Sequence, residues 1–125
     1  MNILIAESNY TLGKLIEYAL KSAHHQVTLV EEGKQALNAL RRFSFDLVIT
    51  EILLPFYSGL ELIHFIHEIH PSNSPKILVL TRIHNENTVS RAFDLGIDDY
   101  ILKPFDLDFL TLTIQKLSFA KTQKS

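Results

Sequence analysis

The chain has 125 residues, the size of one ordinary domain, and its 46% hydrophobic and 21% charged residues exclude a disordered or fibrous polymer. A net charge of −2 gives no electrostatic footprint for nucleic acid, and the lack of cysteine removes disulfides, thiolate metal sites and cysteine nucleophiles together. No apolar run approaches the roughly 20 residues that cross a bilayer, and Met1–Ala6 is too short and lacks the basic leader of a signal peptide, so a cytoplasmic domain without membrane contact is expected.

In chain order, Asn2–Ala6 is rich in Ile and Leu and predicts a first strand. Leu12, Leu15, Ile16, Ala19 and Leu20 then recur at helical spacing, and His24-His25 end that helix favourably for its dipole. Gln26–Val30 predicts a second strand, followed by a helical stripe of Ala36, Leu37, Leu40 and Phe43. Leu47–Thr50 predicts a third strand, and Leu62, Ile63, Ile66 and Ile69 a third helix stopped by Pro71. Lys76–Leu80 is the fourth strand, and the stripe Val89, Ala92, Phe93, Leu95 ends at Gly96, a residue suited to the left-handed cap. Tyr100–Leu102 is the fifth strand, after which Asp106 caps a helix carrying Leu107, Leu110, Ile114 and Leu117. Continuous apolar runs suit strands buried on both faces. Five strand–helix alternations imply an α/β, doubly wound (βα)5 domain with a five-stranded parallel sheet over residues 1–120. The tail Lys121–Ser125 is polar and is expected to fray or to begin a linker.

In such a sheet, chemistry collects beyond the carboxyl ends of the strands. That rule selects Glu7, Ser8 and Asn9 after the first strand, Glu51 after the third, Thr81 and Arg82 after the fourth, and Lys103-Pro104 after the fifth. Loops are polar in any protein, but two carboxylates, two hydroxyls and an ammonium here converge on one edge. Only four glycines are present and none are clustered, so no phosphate-cradling loop exists and no nucleotide or flavin cofactor is expected. His64, His67 and His70 recur every three residues, a step that drifts around a helix, and they read as a solvated face.

These residues, taken in order, resemble a response-regulator receiver domain. The resemblance spans essentially the whole chain. It rests on Ile3-Leu4-Ile5-Ala6-Glu7, Asp46-Leu47-Val48-Ile49-Thr50-Glu51 with Leu54-Pro55, and Ser58-Gly59-Leu60-Glu61-Leu62. Ile77-Leu78-Val79-Leu80-Thr81, Gly96-Ile97-Asp98-Asp99-Tyr100 and Lys103-Pro104-Phe105 complete it. The resemblance implies a flavodoxin-like receiver fold of two-component signalling. In that family an aspartate takes a phosphoryl group from a sensor histidine kinase, aided by Mg²⁺ on an acidic pair and by a lysine. A Thr and an aromatic residue then shift the face made by the fourth helix, fifth strand and fifth helix. Carried over by position, Thr81 and Tyr100 are the switch pair and Lys103 is the pairing lysine. Glu7, Ser8 and Glu51 stand at the metal positions, Glu51 also at the phosphoacceptor position.

Two of these positions depart from the family pattern. Ser8 places a neutral hydroxyl where a carboxylate is usual, which weakens any Mg²⁺ site. Glu51 is longer than aspartate by one methylene, and a misplacement of about 1 Å can lower a rate ~10²-fold. The resemblance, so modified, implies a phosphorylation-independent interaction module that is not an enzyme and has at best weak Mg²⁺ affinity. Its partner would be a protein, a histidine kinase or a downstream effector, with a homodimer as a further option and no direct nucleic-acid contact. Glu51 either imitates the phosphorylated state or pairs with Lys103 in a silent pocket. Arg82, where a small residue is usual, either crowds the pocket mouth or adds a second cation. Phe109 and Leu112, with Thr113 and Gln115 where arginines are common, put an apolar surface on the fifth helix in place of a salt-bridged dimer face. The alternative reading is a conventional phosphoacceptor receiver.

Overall fold

A computed structural model describes the backbone of residues 1–124 and the side chains of residues 1–119. Strands β1 (Asn2–Ala6), β2 (Gln26–Val30), β3 (Leu47–Thr50), β4 (Lys76–Thr81) and β5 (Asp99–Leu102) alternate with helices α1 (Tyr10–Ser22), α2 (Gly33–Arg42), α3 (Gly59–Ile69), α4 (Glu86–Asp94) and α5 (Leu107–Lys124). The strands form one parallel sheet in the order β2-β1-β3-β4-β5. This is the doubly wound flavodoxin-like architecture that the alternation implied. Helix α5 runs through Lys124, into the stretch read as a polar tail; Ser125 and the side chains from residue 120 onward lie outside the described residues.

The strand period of two divides the core. Leu4, Val48, Ile77 and Val79 pack on one face with α2, α3 and α4, whereas Ile3, Ile5, Leu47, Ile49, Leu78 and Leu80 pack on the other with α1 and α5. The expectation of burial on both faces holds for β1, β3 and β4 but not for β2, whose Gln26 and Thr28 are exposed. The strand order explains the difference: β2 and β5 are the two edges. Likewise Leu15 and Phe43, placed in helical stripes by spacing, are exposed; α2 ends at Arg42, and Phe45 packs against the core instead.

Side chains close the helix starts. Asn9, Glu32 and Asn85 each accept an N–H from the first turn of α1, α2 and α4, and Ser58 with Glu61 forms a reciprocal capping box on α3. Asp106 Oδ1 accepts the Asp108 N–H at 2.8 Å at the start of α5. Beyond α1, His24 takes a left-handed conformation (φ 71) and donates its N–H to the Lys21 carbonyl, so it serves the turn geometry. Gly96 (φ 99) does the same after α4. Among the described residues, no helix is long and apolar enough to cross a membrane.

Candidate functional site

Three residues just past the strand ends are pinned by backbone bonds that continue the sheet ladder. Glu7 donates its N–H to the Val30 carbonyl at 3.0 Å, Glu51 to Ala6 at 3.0 Å, and Lys103 to Thr81 at 2.8 Å. The Lys103-Pro104 peptide is cis. Their side chains meet. Lys103 Nζ donates to Glu7 Oε1 at 2.6 Å and to Glu51 Oε1 at 2.8 Å, and all three side chains are buried.

The remaining carboxylate oxygens are also engaged. Glu7 Oε2 accepts the Asn9 N–H at 3.0 Å. Glu51 Oε2 accepts two successive backbone N–H groups, from Ile52 at 2.6 Å and Leu53 at 3.2 Å. Among the described residues, no buried side-chain polar atom is left without a partner. Two carboxylates and one ammonium thus form a closed cluster carrying one excess negative charge.

Electrostatics follow from that geometry. Burial pushes the Glu51 carboxyl up, but the Lys103 ammonium, the Thr81 hydroxyl and the Leu53 N–H outweigh it and hold the group below the usual carboxylate range. Burial likewise lowers Lys103, but Glu51 and Glu7 overcome it and raise the ammonium's pKa. Glu51 and Lys103 therefore stay ionised across the neutral range.

Thr81 closes β4, is fully buried, and its Oγ1 accepts the Ile83 N–H at 3.3 Å. Tyr100 is half-buried; its hydroxyl donates to the Ile83 carbonyl at 2.6 Å and its ring stacks on Phe93 with centroids 6.5 Å apart. Burial and then the Glu51 charge raise the Tyr100 phenol. Thr81, Ile83, Tyr100 and α4 are thereby linked to Glu51.

The structure thus brings Glu7, Glu51, Lys103 and Thr81 together, with Tyr100 beside them. Ser8 and Arg82 are exposed and, among the described residues, make no hydrogen bond or ion pair into the cluster, so Arg82 does not reach in as a second cation. Sequence reasoning missed the Lys103–Glu7 contact and the amides of Asn9, Ile52 and Leu53. The amides carry no residue-type signal at all; only the loop conformation points them at the carboxylates.

A hard dication needs oxygen donors in near-octahedral array, with carboxylates offsetting its lost hydration. Here both carboxylates are committed to Lys103 and backbone N–H groups, Ser8 is neutral and exposed, and no group of three or more His, Cys, Asp or Glu among the described residues is placed to hold a metal. As arranged, the donor set does not fit Mg²⁺.

A doubly wound parallel sheet with acidic residues, a threonine and a lysine at its carboxyl edge defines a receiver-type signalling fold. Residues 3–115 match the response regulator receiver domain family, and the chain belongs to it. It is 30% identical over 115 residues to the transcriptional regulatory protein PcoR of Escherichia coli, covering 92% of this chain and 50% of that protein. Two solved structures superpose closely. The non-phosphorylated HemR receiver domain from Leptospira biflexa has a TM-score of 0.86 at 27% identity, covering 93% of this chain and 92% of that one. The BeF3-activated DrrB receiver domain has a TM-score of 0.84 at 26% identity, covering 93% and 95%. The chain spans about half the length of the curated relatives it matches. It is a two-component response-regulator receiver.

Proposed function

We propose that this receiver signals without phosphorylation, as a protein-interaction module with no catalytic turnover of its own. Glu51 stands at the phosphoacceptor position. The observation that carries the reading is the Lys103 ammonium bridging Glu7 and Glu51 at 2.6 and 2.8 Å. A metal ion would have to displace that ammonium from both carboxylates. A phosphoryl group would have to take over the Lys103, Ile52 and Leu53 donors that Glu51 itself fills.

With those donors held by a carboxylate, Thr81 and Tyr100 keep one position, and the face of α4, β5 and α5 is presented constantly. Phe93, Leu102, Phe109 and Leu112 are exposed on those elements, and a kinase or effector protein would dock there. The cluster's excess negative charge and the overall −2 argue against direct nucleic-acid binding by this domain.

Thermal melting with Mg²⁺ and beryllofluoride, a phosphoryl mimic that binds aspartate, tests the proposal. The wild type keeps its melting temperature, while the double variant Ser8→Asp, Glu51→Asp gains several degrees through ligand linkage. A comparable gain in the wild type would make this a conventional phosphoacceptor receiver.

A further inference from the structure

We propose that the open edge of β2 is a self-association surface, on which β2 of a second copy of this chain pairs antiparallel to it. The sheet order leaves two edges, β2 and β5, and the chain finishes them differently. In β2, Gln26 donates its N–H to the Met1 carbonyl at 2.9 Å, and the Val30 carbonyl accepts the Glu7 N–H at 3.0 Å. Backbone groups of a strand alternate in direction, so Gln26, Thr28 and Val30 face β1 while Val27 and Leu29 turn N–H and C=O outward. Among the described residues, no protein group bonds those outward atoms. Nor does a charge, a proline or a bulge within Gln26–Val30 blunt this edge.

The other edge is covered by its own chain. Counting back from Lys103, whose N–H reaches the Thr81 carbonyl, Tyr100 is an outward residue of β5. Asp99 Oδ1 already accepts its N–H at 2.8 Å. The strand itself carries the Asp99 charge and is followed by Pro104, two features that discourage strand addition. β2 alone is left ready to pair.

The charge order along β2 selects the occupant. Lys21 (which also meets Glu17 at 3.3 Å) and His24 precede the strand, and Glu31 and Glu32 follow it. Run antiparallel, the complement of a strand that is basic before and acidic after is a strand with that same order, which a second copy supplies. A parallel copy would instead stack each glutamate on its counterpart, which is unfavourable. Glu31 is exposed and, among the described residues, holds no ion pair of its own. A two-fold axis at Thr28 sets Val27 of each copy opposite Leu29 of the other. Those pairs satisfy every outward donor and acceptor of both strands, and Thr28 faces its own counterpart. The contact lies at the opposite edge of the sheet from β5, so it leaves the α4–β5–α5 face open and is independent of the function proposed above.

The chain has no cysteine, so Thr28→Cys reports the contact directly. Thr28 is exposed, and the substitution leaves the core intact. Opposed residues of this kind lie about 4.5 Å apart at Cα, inside the range a disulfide spans. Under mild oxidation, Thr28→Cys is expected to form a disulfide dimer at least about tenfold faster than Leu112→Cys on the other face. Sedimentation velocity of the unmodified chain should show a dimer forming at about 100 µM, weakened at least about tenfold by Thr28→Glu, which opposes two carboxylates on the axis. A wild type that stays monomeric up to about 1 mM, a dimer that Thr28→Glu does not weaken, or Leu112→Cys cross-linking as fast as Thr28→Cys would overturn the inference.

Discussion

The pocket at the carboxyl edge and the outer face of α4, β5 and α5 are opposites. In the pocket, Glu7 and Glu51 are buried, Lys103 is largely covered, and each charged group is paired within the chain. On the outer face, Phe93, Leu102, Phe109 and Leu112 are exposed, although Phe93 also stacks on Tyr100. A site built for small-molecule chemistry keeps groups available; this one has spent them on each other. Unsatisfied surface lies outside instead, which is why we propose binding rather than chemistry as the function.

The sharpest way to break that contrast is to remove the ammonium. Lys103→Met leaves Glu7 and Glu51 buried side by side without a counter-charge, and a loss of about 3–5 kcal/mol in urea unfolding is expected at neutral pH. Adding Glu7→Gln should recover part of it, since one buried charge is then removed. The pH profile gives an independent handle. Glu51 has a lowered folded pKa, so the unfolded chain binds more protons; the stability from this group is present above the ordinary carboxylate pKa and fades as pH falls through the folded value. Lys103 has a raised folded pKa, so its stability is full below the ordinary lysine value and fades as pH rises through the folded one. A plateau across neutral pH is expected, and Glu51→Gln should flatten its acid limb in chemical denaturation.

A smaller effect comes from the link between the two regions. Tyr100→Phe removes the 2.6 Å bond to the Ile83 carbonyl and should lower stability by about 1 kcal/mol, read from the urea midpoint. Smallest of all is Leu112→Glu on the outer face, expected to shift stability by less than about 0.5 kcal/mol. A large loss there would mean that the face packs within the chain and is not a docking surface.

Much of the fold is legible in the sequence because apolar runs and helical stripes report burial directly. β1, β2 and β3 match their runs residue for residue, and β4 and β5 each extend by one. What periodicity cannot report is sheet order, so the exposure of Gln26 and Thr28 on edge strand β2 was invisible. The site was legible as a set of positions, since topology brings strand ends together. Its wiring was not: Lys103 and Glu7 lie 96 residues apart, and no local pattern shows that one ammonium reaches both carboxylates. Nor does residue type reveal that Phe56 occupies a left-handed position, in a loop bonded by the N–H groups of Gly33 and Gly59.

The most direct measurement is intact mass after incubation with a small-molecule phosphodonor and Mg²⁺. The closed cluster predicts that the wild type stays unmodified while the Ser8→Asp, Glu51→Asp double variant gains one phosphoryl group. A labile phosphoryl adduct on the wild type itself would contradict the account and make this receiver a working phosphorelay component.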